Sequence, residues 1–221
     1  MKKLLTAVLL LTMTFSLSAC GSDDDTPTEY DIPREDAIIL NELAYSSYLS
    51  SSNPVITIEV ERMGEMKLQL FPEVAPNTVN SIIAYINRGD YENNEFHRVI
   101  NEFMIQGGRL DSPSCTTVGE MNNNPDFEGT NDLQHYRGVL SMARIGGMYN
   151  SQTSQFFIVH QSSYFLDEEY VTFGGMISGF NILDFIAPMG DNSNSVPAER
   201  VTITNITVEL NGYIPESPIC Q

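Results

Sequence analysis

Apolar and polar residues alternate most regularly from Asn53 onward. Ile56, Ile58 and Val60 alternate with Thr57, Glu59 and Glu61, and after Met63-Gly64 the pattern repeats at Met66, Leu68 and Leu70. Period-two patterning on both sides of a turn predicts a hairpin of half-buried strands. Pro76 then opens a stretch in which Val79, Ile82, Ile83 and Ile86 share one helical face, and Gly89 stops it. Short apolar segments at 96–106, 138–143, 155–160 and 171–178, separated by Gly, Asn and Ser, predict further strands. "GFNILDFIAP" predicts a second short helix ended by Pro188. The last strand, 201–210, changes face between Ile203 and Ile206, which predicts a bulge. Many short strands with two helices point to a mainly β fold, a closed antiparallel barrel. No internal repeat or second domain is visible.

Upstream the pattern weakens. Residues 34–49, "REDAIILNELAYSSYL", predict a short helix with Ile39, Leu40 and Leu43 facing inward, loosened by the serines at 46, 47 and 50–52. Residues 21–33 are acidic, contain Pro27 and Pro33, and read as a flexible leash. The expected organisation is therefore an acidic tether over 20–53 and one domain over 54–221. Three roles stay open for residues 34–50: docking on the barrel, covering its site, or spacing it from a membrane.

Residues 1–19 have the shape of a secretory signal. Lys2 and Lys3 precede an apolar run that is shorter than the roughly 20 residues a spanning helix needs. Leu17-Ser18-Ala19-Cys20 resembles a bacterial lipobox, which implies cleavage before Cys20 and its acylation. Membrane contact is then expected through lipidated Cys20 only, since two or more acyl chains anchor stably. Gly21-Ser22-Asp23-Asp24-Asp25 reads either as a solvated spacer or as resembling the acidic tags of surface-exported lipoproteins. Gly21 leans toward the outer membrane. The expected location is the envelope of a Gram-negative bacterium, as an outer-membrane lipoprotein, with surface exposure as the further reading.

Charge narrows the chemistry. Eleven basic against 29 acidic residues give a net charge of −18, a field that repels nucleic acid and anionic headgroups. Three histidines, none in ligand spacing with another, argue against a zinc site, and no metal or cofactor is expected. Cys115 and Cys220 are the cysteines left after lipidation; their spacing leaves open whether they pair.

Within this acidic chain, "FHRVINEFMIQGG" (96–108) sets Arg98 in an apolar run, where an unpaired guanidinium is costly to bury. Together with "YRGVLSMAR", "NSQTSQFFI" and "FLDEEYVTFG", and with "LFPEVAPNTVNSIIAYINRGDY" before them, this segment resembles the cyclophilin-type peptidyl-prolyl isomerases in order and spacing. The resemblance covers about residues 54–210. It implies an eight-stranded closed antiparallel barrel capped by two α-helices, with the active groove on its outer surface. Arg98 falls on the family's catalytic arginine, and Phe103, Met104 and Gln106 on its groove residues. Ala143 and Arg144 fall where the main chain receives substrate. Gln155 and Phe157 match the glutamine and second phenylalanine of "QFF", and Leu166 the proline-pocket leucine. Phe165 stands where many eukaryotic members have tryptophan and Tyr170 where they have histidine, which implies weaker cyclosporin binding more than lost catalysis. Gly175 replaces a lysine common after "FG".

The residue chemistry agrees with that implication. An X–Pro bond turns slowly because amide resonance sets a barrier of ~20 kcal/mol. A cation that donates to the nitrogen of the twisted amide stabilises that state over both planar ones, without nucleophile, metal or proton transfer. Phe103, Met104, Phe157 and Leu166 supply an apolar cup for the proline ring. Gln106 holds Arg98, whose planar fork stays charged. The competing readings are that Arg98 forms a structural ion pair with Glu102 and that the aromatics are plain core. His97, His135 and His160 read as packed core histidines. Ser141, Ser151 and Ser154 lack an elbow motif and a convincing His/Asp pairing, which argues against a serine hydrolase. The expectation is a monomeric isomerase of proline-containing polypeptides; the alternative is a proline-peptide binding module without catalysis.

Overall fold

The computed structural model describes residues 29–190 and 194–221. Strands β1 (Val55–Val60) and β2 (Gly64–Leu70) form the expected hairpin, pairing Ile58 with Met66. Helix α1 (Pro76–Asn87) follows, with Val79, Ile82, Ile83 and Ile86 buried as the sequence predicts. Six further strands complete the sheet before the last: β3 (Asn94–Glu95), β4 (Arg98–Ile100), β5 (Met104–Gly107), β6 (Val139–Met142), β7 (Phe156–Val159) and β8 (Thr172–Ser178). Helix α2 (Phe180–Ile186) runs into a 3-10 turn at Ala187–Met189 that carries Pro188. Strand β9 (Thr202–Glu209) ends the sheet. Its bulge is where the sequence places it: Glu59 pairs with Asn205 but Val60 with Ile203, leaving Thr204 as the extra residue.

The strands run in the order β3-β9-β1-β2-β8-β6-β7-β5-β4. The two ends of that order are consecutive in the chain, separated only by Phe96 and His97. The sheet therefore curls until β3 and β4 are two halves of one kinked strand. Counted so, the nine strands are the eight expected. Val99, Ile105, Ile158, Leu140 and Leu70 face the inside, where they join Ile182, Leu183 and the apolar face of α1 in the main core.

Register fixes what the outer face carries. Arg98 lies opposite Gln106, Gln106 opposite Phe157, Phe157 opposite Ser141, and Ser141 opposite Thr172. Directly paired residues share a face, so these five form one row across the outside of the sheet. The neighbouring row runs through Ile100, Met104 and Val159, and continues through Val139, Gly175 and Gln69.

Residues 29–53 do not form the expected helix. They make two 3-10 turns, Leu40–Glu42 and Ser46–Tyr48, and leave Ile39 54% and Leu40 45% exposed; of the three expected inward residues only Leu43 packs. The buried residue is Tyr45, at 0% exposure, and its hydroxyl donates to the Met176 carbonyl at 2.7 Å. Its ring lies so close over Gly175 that a Cβ there would sit 2.5 Å away. Repeated serines favour local bonds over helix continuation, and a straight helix could not reach this notch. The segment is a docked strap. Glu35 accepts from the N–H groups of Gly179 (2.9 Å) and Phe180 (2.5 Å), and Gln69 accepts from the Ser50 N–H at 2.8 Å.

At the other end, residues 211–221 lie along α1. Asn77 and Ile219 exchange two hydrogen bonds, and Cys220 is disulfide-bonded to Cys115, which settles the pairing the sequence left open. The expected lipidation site, Cys20, and the signal segment expected over residues 1–19 lie outside the described residues.

Candidate active site

Strand β4 presents Arg98 half-buried on the outer face because the chain kinks at His97 just before it. Its Nη1 donates to Gln106 Oε1 at 3.2 Å and lies 3.7 Å from Met104 Sδ. Gln106 Nε2 in turn donates to Gln155 Oε1 at 3.1 Å, so the guanidinium is held by a two-amide chain across three strands' worth of surface. Among the described residues Arg98 makes no ion pair. The structural pairing with Glu102 is absent: Glu102 sits in a turn with φ of 57° and gives its N–H to Asn101 and His160.

Beside this cation lies an apolar pocket of about 260 Å³. Phe157, 4% exposed, is its floor, with Met104 (1%) and Leu166 (7%) beside it. Phe103 and Phe165 stand at the rim with ring centroids 5.4 Å apart, and Phe165 is 72% exposed. Tyr170 meets the Phe157 ring edge-on at 6.1 Å. Ala143 and Arg144 complete the lining. Every residue expected at the site lines this pocket except Gln155, which reaches it through Gln106.

Arg144 differs from Arg98 in being fully engaged. Its side chain is 5% exposed, pairs with Glu169 at 3.0 Å, donates to the Glu169 carbonyl at 2.8 Å, and lies 4.6 Å from the Tyr170 ring centre. It serves as a strut for the wall, with Glu169 as a partner that the sequence reading missed. The Ala143 N–H is committed to the Gln155 carbonyl at 2.9 Å.

The histidines separate. His97 is buried beside Arg98 and burial holds it below the usual imidazole range. His160 is not core: it is half-buried, accepts the Glu102 N–H and pairs with Asp184 at 3.2 Å. His135 corrects the serine reading. Its Nδ1 meets Asp167 at 2.8 Å and its Nε2 meets Ser141 Oγ at 3.0 Å, so a Ser-His-Asp pairing does exist. Ser141 and His135 are both 0% exposed and the hydroxyl also bonds the Val171 carbonyl at 3.0 Å, so no substrate carbonyl can reach it. A serine hydrolase built on Ser141 and His135 is ruled out by their burial.

Residues 55–208 match the family model for cyclophilin type peptidyl-prolyl cis-trans isomerases. The chain belongs to the cyclophilin family. It is 34% identical over 162 residues to the peptidyl-prolyl cis-trans isomerase CYP71 of Arabidopsis thaliana, covering 72% of this chain but 25% of that protein. A Staphylococcus epidermidis protein assigned the same activity is 31% identical over 188 residues, covering 71% of this chain and 93% of its own length. The crystal structure of a Cryptosporidium parvum cyclophilin type isomerase superimposes with a TM-score of 0.61 at 29% identity, over 71% of this chain and 98% of that one. The same parasite protein has been crystallised in the presence of the dipeptide Ala-Pro, with a TM-score of 0.60 to this chain. The strap before residue 55 and the tail after 208 are thus additions around a cyclophilin core.

Proposed function

We propose that this cyclophilin accelerates rotation about X–Pro bonds in envelope or surface proteins as they fold, held at the outer membrane of a Gram-negative bacterium by acylated Cys20. The lipobox-like Leu17-Ser18-Ala19-Cys20 and the acidic run behind it support the location. So does the Cys115–Cys220 disulfide, which suits an oxidising compartment rather than a reducing cytosol.

The observation that carries the mechanism is Arg98, without an ion pair among the described residues and held at the edge of an apolar pocket by Gln106. The proline ring enters over Phe157 between Met104 and Leu166, losing apolar surface to water at about 25 cal/mol per Å². The flanking backbone pairs with the main chain at Arg144, whose own side chain is locked away. The carbonyl before proline then swings while the ring stays fixed. As the amide twists, its nitrogen regains a lone pair, and Arg98 donates to it in that geometry alone. Each ~1.4 kcal/mol gained there is tenfold in rate. Nothing is bonded covalently and no proton is transferred, so a fixed cation and a fixed cup are sufficient.

A fluorogenic proline-peptide assay on residues 21–221 tests this. The expected result is rapid isomerisation that Arg98→Ala largely abolishes. Peptide binding without acceleration would instead establish the non-catalytic binding module. Cys20→Ser should move the full-length protein from the membrane to the soluble fraction, and a membrane-bound variant would remove the lipid anchor from the proposal.

A further inference from the structure

The 3-10 turn Tyr164–Leu166 carries both Phe165 and Leu166, one whole wall of the proline pocket. A three-residue turn has little stiffness of its own, so something outside must hold it. His135 holds it at both ends. Its carbonyl accepts the Ser163 N–H at 2.8 Å, just before the turn, and its own N–H donates to Asp167 Oδ1 at 2.8 Å, just after it. The imidazole adds a third bond to the same carboxylate oxygen at 2.8 Å. Because a carboxylate only accepts, Nδ1 carries the proton and points at Asp167.

The opposite side of the ring serves the opposite wall. His135 stacks nearly flat on Phe157, with centroids 6.0 Å apart and planes at 10°. Its Nε2 meets Ser141, the residue directly across from Phe157 in the sheet. One fully buried side chain therefore touches the floor of the pocket and clamps the turn that forms its wall. The imidazole is fully buried and the carboxylate beside it is 18% exposed. A core that only needs filling has no use for such a group, since apolar replacements of buried polar pairs are often neutral or stabilising; what the pair does supply is a fixed geometry.

We propose that His135 and Asp167 are the positioning pair that sets the width of the proline pocket, acting through Leu166 and Phe157 and touching no substrate atom. The proposal rests on the assignment of this groove as the proline site. Asp167→Ala removes the acceptor for two His135 donors at once. It is expected to raise KM for a proline peptide about tenfold while kcat stays within about twofold, because a loosened cup weakens binding of both planar and twisted states and leaves Arg98 in place. Asp167→Asn, whose amide oxygen still accepts both N–H groups, is expected to recover KM to within about threefold of wild type. An unchanged KM in a folded Asp167→Ala variant, or a fall in kcat with KM unchanged, would overturn the proposal. Should that variant fail to fold, the His135 Hδ1 signal in the wild-type NMR spectrum decides: it is expected to move as an Ala-Pro peptide saturates the groove, and a stationary signal overturns the pairing. Wild-type turnover separates the two assignments. An inactive wild type removes both, whereas an active one with an insensitive Asp167 removes only this one.

Discussion

The outer face of the sheet has two halves built from similar residues and put to opposite uses. On the β6–β8–β2 half, Val139, Gly175 and Phe71 lie under the strap, with Tyr45 driven into the notch and Leu43, Tyr48 and Leu49 packed around it. On the β4–β5–β7 half, Met104 and Phe157 lie in the groove beside Arg98 and Gln106, with only Phe103 and Phe165 standing over them. Tyr45, Met104, Phe157 and Leu166 even belong to one continuous apolar cluster. Residue type does not distinguish a core from a site here. The cover does: an apolar surface that the chain seals is structure, and the stretch it leaves open, with a held cation at its edge, is a place for a ligand.

If that contrast is right, stability should reside in one half and rate in the other. The largest effect is expected from Tyr45→Ala, which empties a fully buried aromatic site and removes the hydroxyl that donates to the Met176 carbonyl. Loss of a buried aromatic ring costs about 3–5 kcal/mol. Chemical denaturation should show that loss, while kcat/KM of the folded fraction stays within about twofold of wild type. A variant with full stability would mean that the strap merely rests on the barrel.

Arg98→Ala makes the converse test. Removing a preorganised donor to the twisted amide is expected to lower kcat/KM about 100-fold, near 2.7 kcal/mol. The unfolding midpoint should not fall, because Arg98 bonds only to Gln106 and Met104 among the described residues. Retained activity would sink the mechanism, and a large stability loss would return Arg98 to the structural half.

Much of this division was legible in the sequence, and the exceptions share a cause. Strands with alternating burial, such as Ile56–Val60, and α1 between Pro76 and Gly89 announce themselves because one local period decides which side is inside. The groove was legible through linked motifs, since Arg98, Gln106, Phe157 and Leu166 keep a fixed spacing. The strap was not. Its helix-like run of Ile39, Leu40 and Leu43 competes with long-range contacts that no local pattern encodes, chiefly Tyr45 in the notch at Gly175 and Glu35 at the N–H groups of Gly179 and Phe180. The His135–Ser141–Asp167 pairing was hidden for the same reason: Asp167 lies 32 residues from His135. Gly175, which replaces a lysine common in the family after "FG", is the residue that makes room for Tyr45.

Gly175 therefore gives a sharper and smaller test. A methyl group there would sit 2.5 Å from the Tyr45 ring. Gly175→Ala is expected to destabilise by about 1–3 kcal/mol, the range for overpacking a tight site. In a Tyr45→Ala background the same change should be nearly neutral, so the double-mutant cycle should show coupling. Additive losses would mean that the glycine is needed for the strand itself and not for the strap.

The smallest effect is a pH dependence, and it follows the border between the halves. Burial holds His97, His135 and His160 below the ordinary imidazole range, with Asp167 opposing it at His135 and Arg109 adding to it at His97. A histidine whose folded pKa is depressed binds its proton more readily in the unfolded chain. Its contribution is present above the unfolded value of about 6.5 and is lost as pH falls through that value toward the folded one. Stability from denaturant titrations should thus decline from pH 7 to pH 5. His135 is fully buried and His160 only half-buried, so desolvation opposes charging His135 more strongly. His135→Gln should flatten that decline more than His160→Gln does. Equal slopes in the two variants would show that the border between cover and groove is no drier than the rim.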